Sequence, residues 1–168
     1  MDIWGVQGIT AEAELLGAVV HTMKALGLTA GDVGIKINTR KLIVDLLKHC
    51  DIAVEKHAQV CVVIDKIDKM PESKLVQELQ KIGVPEEKGN DLLHLVKMKR
   101  LDELSAVVGE NSEGLQELRE LLHLAEAYGY AEWLVFTPSV VRGLSYYTGV
   151  VFECFDRQVE SLQSSAWS

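Results

Sequence analysis

The sequence predicts an α+β fold in which an antiparallel sheet with flanking helices is interrupted by an all-helical insertion. Three observations lead there. Aromatic side chains crowd into the two ends of the chain: residues 42–128 hold only Tyr128, whereas nine lie in the flanks. Charge divides in the same way. Residues 42–128 carry seventeen acidic and eleven basic side chains, against four of each in 1–41 and four acidic and two basic in 129–168. The apolar pattern also changes: the flanks contain strand-like stretches at 33–37 and 132–136, whereas the middle reads almost wholly as helices. The expected organisation is therefore a first core segment at 1–41 (the end of a strand, a helix, a strand), a helical insertion at 42–128, a second core segment at 129–157, and a tail at 158–168 with a Ser-rich composition and no clear element.

The elements follow in order. Asp2-Ile3-Trp4 is a short apolar stretch closed by Gly5. Thr10 suits a helix N-cap, and Glu12 and Glu14 suit the positive end of that helix. Leu15, Leu16, Val19, Val20, Met23 and Leu26 recur at helical spacing, and Gly27 can end the helix. Val33, Ile35 and Ile37 alternate as in a half-buried strand. Residues 40–49 predict a helix with Leu42, Ile43, Leu46 and Leu47 on its apolar face. Residues 51–68 are ambiguous, because the run 60–64 is β-like in composition. Pro71 and Pro85 open helices near 72–82 and 86–97. A short helix near 101–107 ends before Gly109. Residues 112–128 form a strong helix with Leu115, Leu118, Leu121, Leu122 and Ala125 on one face. Glu132-Trp133-Leu134-Val135-Phe136 is strand-like and is broken by Pro138. The stretch 146–155 is again rich in aromatic and branched residues.

Composition narrows the function classes. With 48% hydrophobic and 25% charged residues, the chain of 168 residues is globular in type. Its apolar runs, such as 59–64, are too short to cross a bilayer, and its first residues lack the pattern of a signal peptide. No membrane partner and no targeting segment are therefore expected. Cys50, Cys61 and Cys154 lack metal-ligand spacing and read as small buried apolar residues of a reducing compartment. The net charge of −8 disfavours an autonomous nucleic-acid binder. The five histidines, His21, His49, His57, His94 and His123, are isolated on predicted helices, so no metal site is expected. Asp65-Lys66-Ile67-Asp68-Lys69 reads as a solvated helical face, since it lacks the glycine and ligand count of a calcium loop. Lys97-Met98-Lys99-Arg100 is the densest basic cluster. It could meet an RNA backbone, or simply complement the dipole at a helix C-terminus.

Chemistry concentrates at 141–149. Arg142 and Gly143 precede Tyr146 and Tyr147 on a strand that contains Gly149. A guanidinium there can hold a phosphate through paired N–H donors, and a phenol can hydrogen-bond a small polar ligand while its ring walls a pocket. An edge strand with exposed tyrosines is the plainer alternative.

The string Arg142-Gly143-Leu144, Tyr146-Tyr147-Thr148-Gly149, then Val151-Phe152-Glu153 resembles the histidine-specific motif of histidyl-tRNA synthetases. Met1 to Val6 resembles the tail of the class II motif 2 strand, Ala11 to Leu16 the helix after it, and Asp32 to Lys41 the next core strand. Val60 to Lys69 and Tyr130-Ala131-Glu132-Trp133 look most like the bacterial-derived form found in plant and algal organelles, and favour helix for the ambiguous 60–64. The resemblance covers residues 1 to about 157.

It implies a partial class II synthetase sheet and an ATP- and magnesium-dependent histidine–tRNA ligase. Such an enzyme forms histidyl-adenylate and then transfers histidine to the 3′ end of its tRNA. By position, Arg142 matches the arginine on the α-phosphate and the histidine carboxylate. Tyr146 and Tyr147 match the tyrosines of the histidine pocket, and Asp2 the acid that accepts the imidazole N–H. Lys97, Lys99 and Arg100 are the candidates for tRNA contact from the insertion. Ser145 departs from the Asp or Ala common in the family. Motif 1 with its dimer interface, the motif 2 arginine for ATP, and motif 3 have no counterpart, and 158–168 matches nothing in the family pattern. The full enzyme is expected to be a homodimer, cytoplasmic or organellar (chloroplast or mitochondrion). This chain alone is expected to bind no cofactor and to be inactive. The rival expectation is a non-catalytic synthetase-like regulatory subunit, or a tRNA- or protein-binding module.

Overall fold

The chain's computed structural model describes residues 1–141 and 149–159. The observed class is α+β. Helix α1 spans Thr10–Ala25, strand β1 Val33–Thr39, α2 Arg40–His49, α3 His57–Ile64, α4 Glu72–Lys81, α5 Glu86–Leu95, α6 Leu101–Val108, α7 Glu113–Ala127, β2 Leu134–Phe136 and β3 Val150–Asp156. The strand order is β2-β1-β3. Two bonds bracket an antiparallel β1–β3 pair: the Arg40 amide donates to the Gly149 carbonyl at 3.1 Å, and the Arg157 amide to the Asp32 carbonyl at 3.0 Å. The sheet is mixed rather than wholly antiparallel, so β2 runs parallel to β1. Parallel neighbours require a long crossover. The whole helical stretch α2–α7 provides it.

Two compact units divide the chain. Among the described residues, the first holds 1–36, 117–135 and 152–159, and the second 37–116, 136–141 and 149–151. In the first, Ala13, Leu16 and Val20 are the buried face of α1. No side chain caps that helix, because Ile9 ahead of it is already helical (φ −91°, ψ −4°) and Thr10 is its first residue instead of its cap. At its other end the amide of Gly27 (φ +81°) donates to the Lys24 carbonyl and that of Leu28 to Met23, a paired closure that glycine favours. Thr29 then donates twice to Asp32, at 2.8 Å from its amide and 2.6 Å from its hydroxyl, and holds that carboxyl below the usual carboxylate range.

In the second unit, α2 buries Leu42, Ile43, Leu46 and Leu47, the four positions its spacing predicts. Each such burial contributes about 1.5–3 kcal/mol. Helix α2 packs on α5 and α6, α3 on α4, and α4 on α5. The β-like run 60–64 is helical: Val60, Cys61, Val63 and Ile64 are buried while Val62 is exposed, the i, i+3, i+4 signature of a helix face.

Four further expectations change. Residues 1–9 form no strand, since no strand among the described residues lies beside them to complete a ladder. Residues 65–69 are a turn after α3 instead of a helical face. Ala131–Trp133 is a 3-10 turn, so β2 starts only at Leu134. Cys50 and Cys61 are buried as expected, but Cys154 is exposed, because β3 is an edge strand.

Candidate functional site

The sequence places the chemistry at Arg142, Tyr146, Tyr147 and Asp2. The first three lie outside the described residues. What the structure shows is how the chain on either side of them is fixed. On the near side, the Thr137 amide donates to the Ile37 carbonyl at 3.0 Å, prolonging β2 along β1, and the Val140 amide returns to Thr137 at 3.0 Å. Asn38, 1% exposed, sits in β1 beside this turn. Its Nδ2 donates to the Pro138 carbonyl at 2.8 Å and to the Val140 carbonyl at 3.1 Å. On the far side, Gly149 accepts from the Arg40 amide. The described residues on the two sides, 137–140 and Gly149, are thus tied to residues 37–40. A cavity of about 10 Å³ lies among Asn38, Thr39, Arg40, Ile43, Cys61, Val140, Val141 and Val151. Burial pushes the Cys61 thiol up, and the Arg40 charge opposes this in part.

Asp2 is exposed at the mouth of an open hollow of about 330 Å³, shared with Met1, Ile3, Trp4, Ala11, Glu12 and Leu15. Trp4 is 87% exposed there, and the buried Oε2 of Glu12 has no partner among the described residues.

Lys97, Lys99 and Arg100 are exposed between α5 and α6. Lys97 is paired with Glu72, and Arg100 approaches Asp102 at 3.5 Å. Two of the three cations thus already face a carboxylate.

A hollow of about 1030 Å³ was not foreshadowed by any motif. It lies between α2 (Arg40, Lys41, Asp45, Lys48) and residues 107–113. Ser112 donates to Asp45 at 2.6 Å, Lys41 meets Glu113 at 3.6 Å, and Lys48 meets Asp45 at 4.0 Å. Opposite charges offset one another along its walls, so it selects neither anion nor cation. Among the described residues, no group of three His, Cys, Asp or Glu converges to hold a metal ion. None of the described helices is long and apolar enough to cross a membrane.

Comparison with known proteins decides the lineage. The histidyl-tRNA synthetase family profile matches residues 1–162. The chain belongs to that family. The match runs past residue 157, where the motif resemblance ends. Among curated relatives, the chloroplastic/mitochondrial histidine–tRNA ligase of Arabidopsis thaliana is 45% identical over 158 residues, covering 94% of this chain and 32% of that protein. The histidine–tRNA ligase of Halobacterium salinarum is 31% identical, covering 93% of this chain and 36% of its own length. The chain therefore spans about a third of the length of the curated relatives it matches. The solved histidyl-tRNA synthetase of Nostoc sp. PCC 7120 superposes with a TM-score of 0.80 at 25% identity, over 94% of this chain and 39% of that one. A Bacillus halodurans protein described as an ATP phosphoribosyltransferase regulatory subunit/histidyl-tRNA synthetase shares the fold, with a TM-score of 0.73 at 20% identity over 92% of this chain and 41% of that one.

Proposed function

We propose that this chain supplies the histidine-recognition wall of a histidine–tRNA ligase. The observation that carries the proposal is the string from Arg142 to Glu153, set within a family match over residues 1–162. In the reaction, a histidine carboxylate oxygen attacks the α-phosphorus of ATP, the bond to the β-phosphate breaks, and pyrophosphate leaves. The tRNA 3′-terminal hydroxyl then attacks the activated carbonyl, and AMP leaves.

Arg142 holds the α-phosphate and the histidine carboxylate together. A fixed guanidinium stabilises the charge that builds on the phosphoryl oxygens as the bond forms. Tyr146 and Tyr147 line the side-chain pocket, and Asp2 accepts the imidazole N–H. A carboxylate and a phenol on opposite ring nitrogens reject side chains that would leave those groups unpaired. Magnesium enters with ATP; the described residues form no set that fits it. Lys99 leads any contact with tRNA, since Lys97 and Arg100 already face acids. The segment 42–128 serves as the insertion, and the full enzyme works as a homodimer. The Arabidopsis relative's compartments support an organellar address.

A chimera tests this. Residues 1–157 replace the matching third of the Arabidopsis enzyme, and histidine-dependent ATP–pyrophosphate exchange is measured. Exchange above a blank supports the proposal; a folded chimera that binds neither histidine nor ATP overturns it. The same assay separates the regulatory-subunit reading, which the Bacillus halodurans likeness keeps in view, because a regulatory protein gives no exchange. The isolated 168-residue chain is expected to give none either.

A further inference from the structure

The described residue tied most directly to the proposed chemistry carries no catalytic group. Asn38 lies near the end of β1 and is 1% exposed. A buried polar side chain is costly unless its hydrogen bonds are made. Here both amide donors are used, and on one target: the carbonyls of Pro138 and Val140. Pro138 has no amide proton and can donate no ladder bond; Asn38 holds it through its carbonyl instead. Its Oδ1 makes no hydrogen bond among the described residues. The side chain is thus committed to the turn, at the expense of its own acceptor.

Two residues after Val140 comes Arg142. From this juxtaposition we infer that Asn38 is a positioning residue, a clamp that fixes the turn at 138–140, two residues ahead of Arg142, and on which the work of Arg142 depends. The inference rests on the proposed role of Arg142, but the clamp itself is testable without it. Any loop carrying a catalytic group must be held by something rigid, and small displacements are expensive in rate. The central strand of the sheet, with a neighbour on each side, is the rigid element here.

Two measurements test it. In the 168-residue chain, Asn38→Ala is expected to make amide exchange in 137–141 about tenfold faster while α4 and α5 keep their protection, as for a local opening. Asn38→Ser, which retains one donor, falls between. Unchanged exchange, or loss of protection throughout α4 and α5, overturns the clamp.

In the active chimera, Asn38→Ala is expected to lower kcat for pyrophosphate exchange roughly 100-fold, with a smaller change in the histidine KM. In the Arg142→Ala background the same substitution costs little further, because the group it positions is gone. Equal losses in both backgrounds overturn the link to Arg142. A chimera inactive with Asn38 intact counts against the proposed function instead, and the exchange measurement then decides the clamp.

Discussion

Gly114, in the first turn of α7, lies against the backbone of Leu42 in α2: a Cβ at Gly114 would stand 2.4 Å from the Leu42 nitrogen and 2.7 Å from its Cα. Those atoms are backbone and cannot swing aside. Two effects compete in Gly114→Ala. Alanine gains about 1 kcal/mol of helix propensity over glycine, while overpacking a tight contact costs about 1–3 kcal/mol. With backbone as the obstacle, the steric cost wins. The variant is expected to lose up to about 2 kcal/mol, seen as a lower urea midpoint with an unchanged slope. A midpoint equal to or above that of the parent would show that α7 shifts freely.

Tyr130 is buried, and its hydroxyl donates to the Ala13 carbonyl at 2.6 Å. Burial, aided by Tyr128, pushes the Tyr130 phenol up to about 12. In the unfolded chain it ionises near its ordinary value of 10.0. Between those two pH values the unfolded chain has lost a proton that the folded one keeps. Stability is therefore full below pH 10 and falls as pH rises toward 12. Tyr130→Phe should cost about 1 kcal/mol at neutral pH and decline less steeply through that alkaline window. Parallel curves of urea midpoint against pH for the two proteins would refute this.

Cysteine reactivity should separate the three thiols. Cys154 is exposed, while Cys50 and Cys61 are buried. Burial, with Asp91 adding to it, pushes the Cys50 thiol up to about 11. An aromatic disulfide reagent at mild alkaline pH is expected to titrate Cys154 in the native protein and the other two only on unfolding. Burial and the neighbouring Glu153 also raise the Cys154 thiol, so its phase is slower than that of free cysteine. A second native-state thiol reacting as fast would contradict the packing of α2 and α3.

For Arg142, the chimera gives the decisive kinetics. Arg142→Ala should reduce adenylation by about 10²–10³-fold, the scale of losing one group that meets transition-state charge, with unchanged helical circular dichroism. Unchanged kinetics would remove Arg142 from the site.

The sequence revealed most where a pattern needs only its own neighbours. Leu42, Ile43, Leu46 and Leu47 announce α2 by spacing alone, and all four are buried. The run 60–64 shows the limit. Its composition is that of a strand; the family resemblance favours helix, and the exposure of Val62 between buried residues marks one. Trp133 resembles a strand residue because its neighbours are branched and apolar, yet the Trp133 amide donates to the Tyr130 carbonyl and closes a turn. Cys154 was misjudged because edge position in a sheet depends on strand order, which local composition does not encode. Asn38 was missed for a related reason. Its role depends on carbonyls 100 and 102 positions away. A signal did exist: an amide side chain ending an apolar alternation.

The crossover between β1 and β2 has a consequence during synthesis. β1 leaves the ribosome about a hundred residues before either strand that flanks it. At roughly 5–20 residues per second the nascent strand waits on the order of 5–20 s with both edges unpaired. Unpaired edges recruit other strands. Meanwhile the intervening helices can assemble, since their contacts are closer in sequence. This chain therefore finishes its sheet last, and its exposure to aggregation is set by how quickly translation reaches Leu134.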